Sequence, residues 1–139
     1  HDILLTFRNG FRRLVFVRND RSLEKPKTNR QIEAVVKATS RRTADDMVVV
    51  NARDYSRQRR ENLFRMHLTV FNPDPEADEI TLEIARRLTT LYLMKDLFPR
   101  APIEQHRVFS ACYRLVARGV MLANLDHLLW EHSRVEVAK

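Results

Sequence analysis

Asn72-Pro73-Asp74-Pro75-Glu76-Ala77-Asp78-Glu79 decides how the rest of the chain is read. Asp74 has the short acceptor side chain that caps a helix start, and Pro75 suits the first helical position. The acids that follow favour the positive end of a helix dipole. The stretch is therefore a turn that opens a helix. Helical spacing dominates after it and strand-like runs dominate before it.

Downstream, Ile80, Ile84, Leu88, Leu91 and Tyr92 share one helical face, and the pattern stops at Phe98-Pro99. A new start at Pro102 predicts a long helix from about Ile103 to about His132. Val108, Phe109, Cys112, Leu115, Val116, Gly119, Leu122 and Ala123 form its apolar stripe. Met121, Leu125, Leu128, Leu129 and Trp130 widen that stripe. A helix apolar on more than one face is central to a fold or meets a partner, so these five residues are the candidate protein interface. Gly119 would allow a close helix crossing.

Upstream, Leu63 to Phe71 alternates: Phe64, Met66, Leu68 and Val70 on one side, Arg65, His67, Thr69 and Phe71 on the other. Period two predicts a strand. Ile3 to Phe7 and Arg13 to Val17 predict two more, joined through Asn9-Gly10, a strong hairpin signal. Met47 to Val50 predicts a fourth. Between them lies a polar loop over 18–28. A helix follows, capped at Thr28 or Asn29, carries Ile32, Val35, Val36 and Thr39, and fades at Ser40-Arg41-Arg42. The expected fold is α+β: a small antiparallel sheet of about four strands with one helix, then a two-helix hairpin packed on it. The 139 residues are read as one domain, with a β-rich half over 1–71 and a helical half over 72–139. Because the chain opens at His1 instead of methionine, it is expected to be excised from a longer protein.

Charge follows the same division. Twenty residues are arginine and five lysine. Residues 1–70 hold 16 Lys+Arg against 8 Asp+Glu, and residues 71–139 hold 9 against 10, so the net +7 sits entirely in the first part. Arginine is a planar fork of donors that matches phosphate and carboxylate and stacks on flat rings. Arg53, Arg57, Arg59, Arg60 and Arg65 gather around Tyr55 and form the candidate anion or nucleic-acid site. Arg8, Arg12 and Arg13 flank the first turn and extend it.

Several classes are set aside. Two glycines leave no phosphate-cradling loop, and one cysteine, Cys112, allows neither an internal disulfide nor a multi-cysteine zinc site. Cys112 lies among apolar neighbours and reads as a buried, inert thiol. The five histidines show no metal-binding spacing, and no serine or cysteine has a recognisable basic partner. No catalytic residue, metal or cofactor is assigned. No apolar run is long enough to span a bilayer and no leader is visible, so a cytoplasmic setting is expected. The function expected is a non-enzymatic interaction domain of a larger protein. Its basic surface would face an anionic partner, either nucleic acid or an acidic protein. Its apolar helix would meet another chain or a second copy. The alternative is a receptor or enzyme domain that binds a phosphorylated small molecule or nucleotide through Arg53–Arg65.

Overall fold

A computed structural model describes residues 3–40, 42–88 and 92–139. Arg41, expected at a helix end, and Leu91, expected on a helix face, lie outside them. The α+β class holds, and the chain divides into two compact units, His1–Tyr55 and Ser56–Lys139.

The first unit opens with strands β1 (Ile3–Thr6) and β2 (Arg12–Val17), antiparallel and in register from Ile3↔Val15 to Thr6↔Arg12. The hairpin forms where Asn9-Gly10 predicts it. Gly10 takes a left-handed φ of 83°, and the Asn9 side-chain oxygen accepts from the Phe11 N–H at 3.1 Å. After a single-turn helix α1 (Asp20–Leu23), helix α2 (Pro26–Ala38) crosses to strand β3 (Asp46–Val50). Helix α2 starts before Thr28, because Pro26 takes the first-turn position where its missing N–H costs nothing.

Strand β3 lies parallel to β2, so the sheet β1-β2-β3 is mixed instead of antiparallel. A helical crossover returns the chain in its original direction, which requires parallel pairing. Arg13 and Asp46 are cross-strand partners and close a two-point ion pair at 2.7 and 2.6 Å. Leu14, Val15 and Phe16 of the central strand are buried, while α2 contributes only a half-buried stripe of Thr28, Ile32 and Val35.

In the second unit the strand expected over Leu63–Phe71 is instead the later part of helix α3 (Arg57–Val70), with Phe71 as its C-cap. Ser56 caps it by accepting from the Arg59 N–H at 3.0 Å, and most residues that follow are good helix formers. Asn62 and Met66, one helical turn apart, are the buried positions. Phe64 and Met66, which alternation put on one face, diverge by about 200° on a helix.

Helix α4 (Pro75–Arg87) begins as read: Asp74 accepts from the Ala77 N–H, and Pro75 is the first residue. It stops earlier than expected, and Tyr92–Leu93 forms strand β4. Two short 3-10 turns, Met94–Asp96 and Phe98–Arg100, lead to helix α5 (Gln105–Ala117).

The long helix expected to reach His132 ends at Ala117. Gly119 has a φ of 70°, its N–H donates to the Val116 carbonyl at 2.9 Å, and the Val120 N–H donates to Leu115 at 2.9 Å. This is a Schellman stop. Gly119 terminates a helix; it does not permit a crossing. The chain continues as strands β5 (Met121–Ala123) and β6 (Arg134–Val137), which with β4 make an antiparallel sheet ordered β4-β6-β5. Helices α4 and α5 pack together and onto this sheet. The core is Met66, Met94, Leu97, Val108, Cys112, Tyr113, Leu115, Met121, Leu129 and Val135 with Ala85. No helix among the described residues is long and apolar enough to cross a membrane.

Candidate functional site

The arginines of 53–65 fall on both sides of the division between units. Arg53 and Tyr55 close the first unit, where Arg53 pairs with Asp20 and Tyr55 is half-buried. The other four lie on α3 and point in different directions. Arg59 makes a two-point ion pair with Asp126, 3.0 and 2.7 Å, and Ser56 donates to the same carboxylate at 2.9 Å. The Arg59 guanidinium and the Ser56 hydroxyl hold the Asp126 carboxyl below its ordinary range. Arg65 pairs with Glu61 one turn away, 2.9 Å. Arg57 and Arg60 are exposed, and neither pairs with an acidic side chain among the described residues. The candidate site thus resolves into internal ties and two outward cations.

At the first hairpin, Arg8 is exposed at the tip. Arg12 is tied by its backbone to Asp45, whose carboxylate accepts at 2.7 Å. Arg13 is engaged with Asp46, and its guanidinium sits 5.8 Å from the ring centres of both Phe7 and Phe11.

The expected interface loses its helix. Met121 and Leu129 are buried in the core, Leu125 is half-buried, and Leu128 and Trp130 are exposed in the β5–β6 loop. Large apolar side chains do lie exposed on a helix, but on α3: Leu63, Phe64 and Leu68, followed by Phe71 at 71% exposure.

The residue that organises this region is Asn62, which sequence reasoning passed over. Its amide donates to the Leu125 carbonyl (2.8 Å) and the His127 carbonyl (2.7 Å), and its oxygen accepts from the Leu129 N–H (2.9 Å). Tyr113 donates to the Leu129 carbonyl at 2.7 Å. The β5–β6 loop is therefore clamped to α3 and α5 by buried side chains. The only early sign was an amide in the middle of an otherwise helix-forming, charged segment.

The acidic helix start also does more than favour the dipole. Arg107 spans Asp74 (2.8 and 2.9 Å) and Glu76 (2.6 Å). Asp78 is buried against Arg114 at 2.6 Å and meets Arg118 at 2.9 Å. Cys112 is buried as expected, and burial pushes its thiol up to about 12, out of nucleophilic range. No group of three or more metal-ligating side chains gathers among the described residues. The clefts lined by Leu122 and Glu136, by Phe16 and Val35, by Phe98 and Trp130, and by Leu23 and Asp54 have none of Arg53, Arg57, Arg59, Arg60 or Arg65 in their walls. Comparison with known proteins finds no matching family model, curated protein or solved structure.

Proposed function

We propose that the chain is a non-enzymatic interaction module that holds an anionic partner, nucleic acid first, on outward-facing helical cations. The observation that carries this is the outer face of α2. Lys27, Arg30 and Lys37 follow one helical stripe, all are exposed, and none pairs with an acidic side chain among the described residues. Ten residues of helix space these charges over about 15 Å, the scale of several phosphates along one strand. Arg57 and Arg60 present the same chemistry on α3. Contacts of this type grip a backbone and do not read bases.

Helix α5 is a poor base reader, because Val108 and Ala111 to Leu115 are buried. The order α4, β4, short helical turns, α5, β5, β6 is also that of a winged helix-turn-helix, an arrangement that serves nucleic-acid and protein contacts alike. The protein-contact side of the proposal passes from 103–132 to the outer face of α3, where Phe64, Leu68 and Phe71 recur at helical spacing.

The test is fluorescence anisotropy with a labelled duplex of about 20 base pairs between about 50 and 200 mM salt. Binding should weaken with a log–log slope of about −3 if the α2 cations neutralise three phosphates. Reversing Lys27, Arg30 and Lys37 to glutamate should remove most of it. Absence of binding at low salt rejects nucleic acid, and binding of polyglutamate in its place assigns the acidic-protein partner. Unchanged affinity in the triple variant rejects the α2 face.

A further inference from the structure

Phe98, Gln105, His106, Phe109, Trp130 and Glu131 line a cleft of about 360 Å³ in the second unit. Three walls are aromatic and one bears a carboxylate. Although the chain carries a net +7, no lysine or arginine lines this cleft. The walls come from three places: the 3-10 turn Phe98–Arg100, the first turns of α5, and the β5–β6 loop.

Each wall is held from behind. The Phe109 ring packs on Tyr113 at 5.2 Å, and Tyr113 is itself buried and bonded to Leu129. The Trp130 backbone N–H donates to Ser133 Oγ at 3.0 Å, and the indole rests against the His132 ring at 4.5 Å. The Lys95 N–H donates to the Glu131 carbonyl at 2.8 Å, which fixes that part of the loop to the core turn beneath. Trp130 nevertheless keeps 55% of its surface exposed. No ring contact joins Phe98, Phe109 and Trp130 among the described residues, so their faces are not spent on one another.

We propose that this cleft binds a cationic side chain, a lysine, methylated lysine or arginine, presented by a partner polypeptide. Aromatic faces carry negative potential and attract a desolvated cation. An aromatic cleft alone would suit any apolar side chain; the Glu131 carboxylate, which among the described residues has only the His132 imidazole beside it at 3.3 Å, and the absence of lysine or arginine from the lining select a positive one. The site is separate from the outward cations of α2 and α3 and takes a partner of opposite charge.

Trp130 is the single tryptophan, so indole fluorescence of the full chain reads this cleft directly. The probes are acetylated, amidated pentapeptides Gly-Ser-X-Ser-Gly with lysine, trimethyllysine, arginine or norleucine at X. Cationic peptides should perturb the fluorescence saturably, with norleucine at least about tenfold weaker. Glu131→Gln, at an exposed position, should weaken the cationic peptides about fivefold and leave norleucine unchanged. Phe109→Leu should weaken all the cationic peptides while far-UV circular dichroism stays constant. Equal affinity for norleucine, indifference to Glu131→Gln, or no saturable change with any cationic peptide up to about 10 mM would overturn the proposal.

Discussion

Asn62 shows how much one side chain can hold. Its amide satisfies two carbonyls and one N–H of a loop more than sixty residues away, with no exposure to water. Asn62→Leu keeps the volume but leaves two part-buried carbonyls and the buried Leu129 N–H without their partner. It should cost about 3 kcal/mol in urea unfolding, and Trp130 fluorescence should report the freed loop. The buried Asp78–Arg114 pair makes a second test. Asp78→Ala strands a buried guanidinium and should cost about 3–5 kcal/mol by the same measurement. Asp74 sets a pH dependence. The Arg107 guanidinium, with help from the Ala77 N–H, holds its carboxyl at about 2 against an ordinary 3.8. The folded value lies below the unfolded one, so the unfolded chain takes the proton first as pH falls. The stabilisation is complete above the ordinary value, shrinks between 3.8 and about 2, and is gone below. In Asp74→Asn, urea midpoints measured across that window should lose this component of their slope.

Among the elements, α3 separates two readings of one stretch. If Leu63–Phe71 were a strand, Phe64 and Met66 would be equivalent. On the helix Met66 is 4% exposed and Phe64 58%. Met66→Ala should therefore cost about 3 kcal/mol, and Phe64→Ala should stay within about 0.5 kcal/mol, both read from denaturant midpoints. The first hairpin, β3 and the starts of α2 and α4 were legible to within a few residues, because turn glycine, β-branched runs and proline act locally. The identity of α3 was not, since its period-two pattern comes from apolar residues that the fold leaves in solvent. The end of α5 was present in the sequence as Gly119, but an apolar run on its far side imitates a continuing helix. Those residues are strand β5 and the loop that leads to β6, where Met121 and Leu129 are buried by pairing and packing that no local pattern reports. The arginine cluster failed for a related reason. Linear proximity gathers Arg57, Arg59, Arg60 and Arg65, and a helix then distributes them around its axis.

Across the whole chain the two units differ in how much they bury. Among the described residues the first has four buried apolar side chains, Leu14, Val15, Phe16 and Ala44, and the second has thirteen. Local opening costs least where burial is least. Hydrogen exchange should therefore run faster at the amides of β1–β3 than at those of α5 and β6; equal protection would show that the units unfold together. The order β4-β6-β5 carries a further consequence. The last strand in the sequence is the middle strand of the second sheet. As the chain is synthesised, β1, β2, α2 and β3 emerge with every partner already made. Strands β4 and β5 emerge with nothing between them, and the clamp of Asn62 has no loop to close on. A chain halted before Arg134 would hold a finished first unit and an unfinished second one, so folding of the second unit waits until Val137 has emerged from the ribosome.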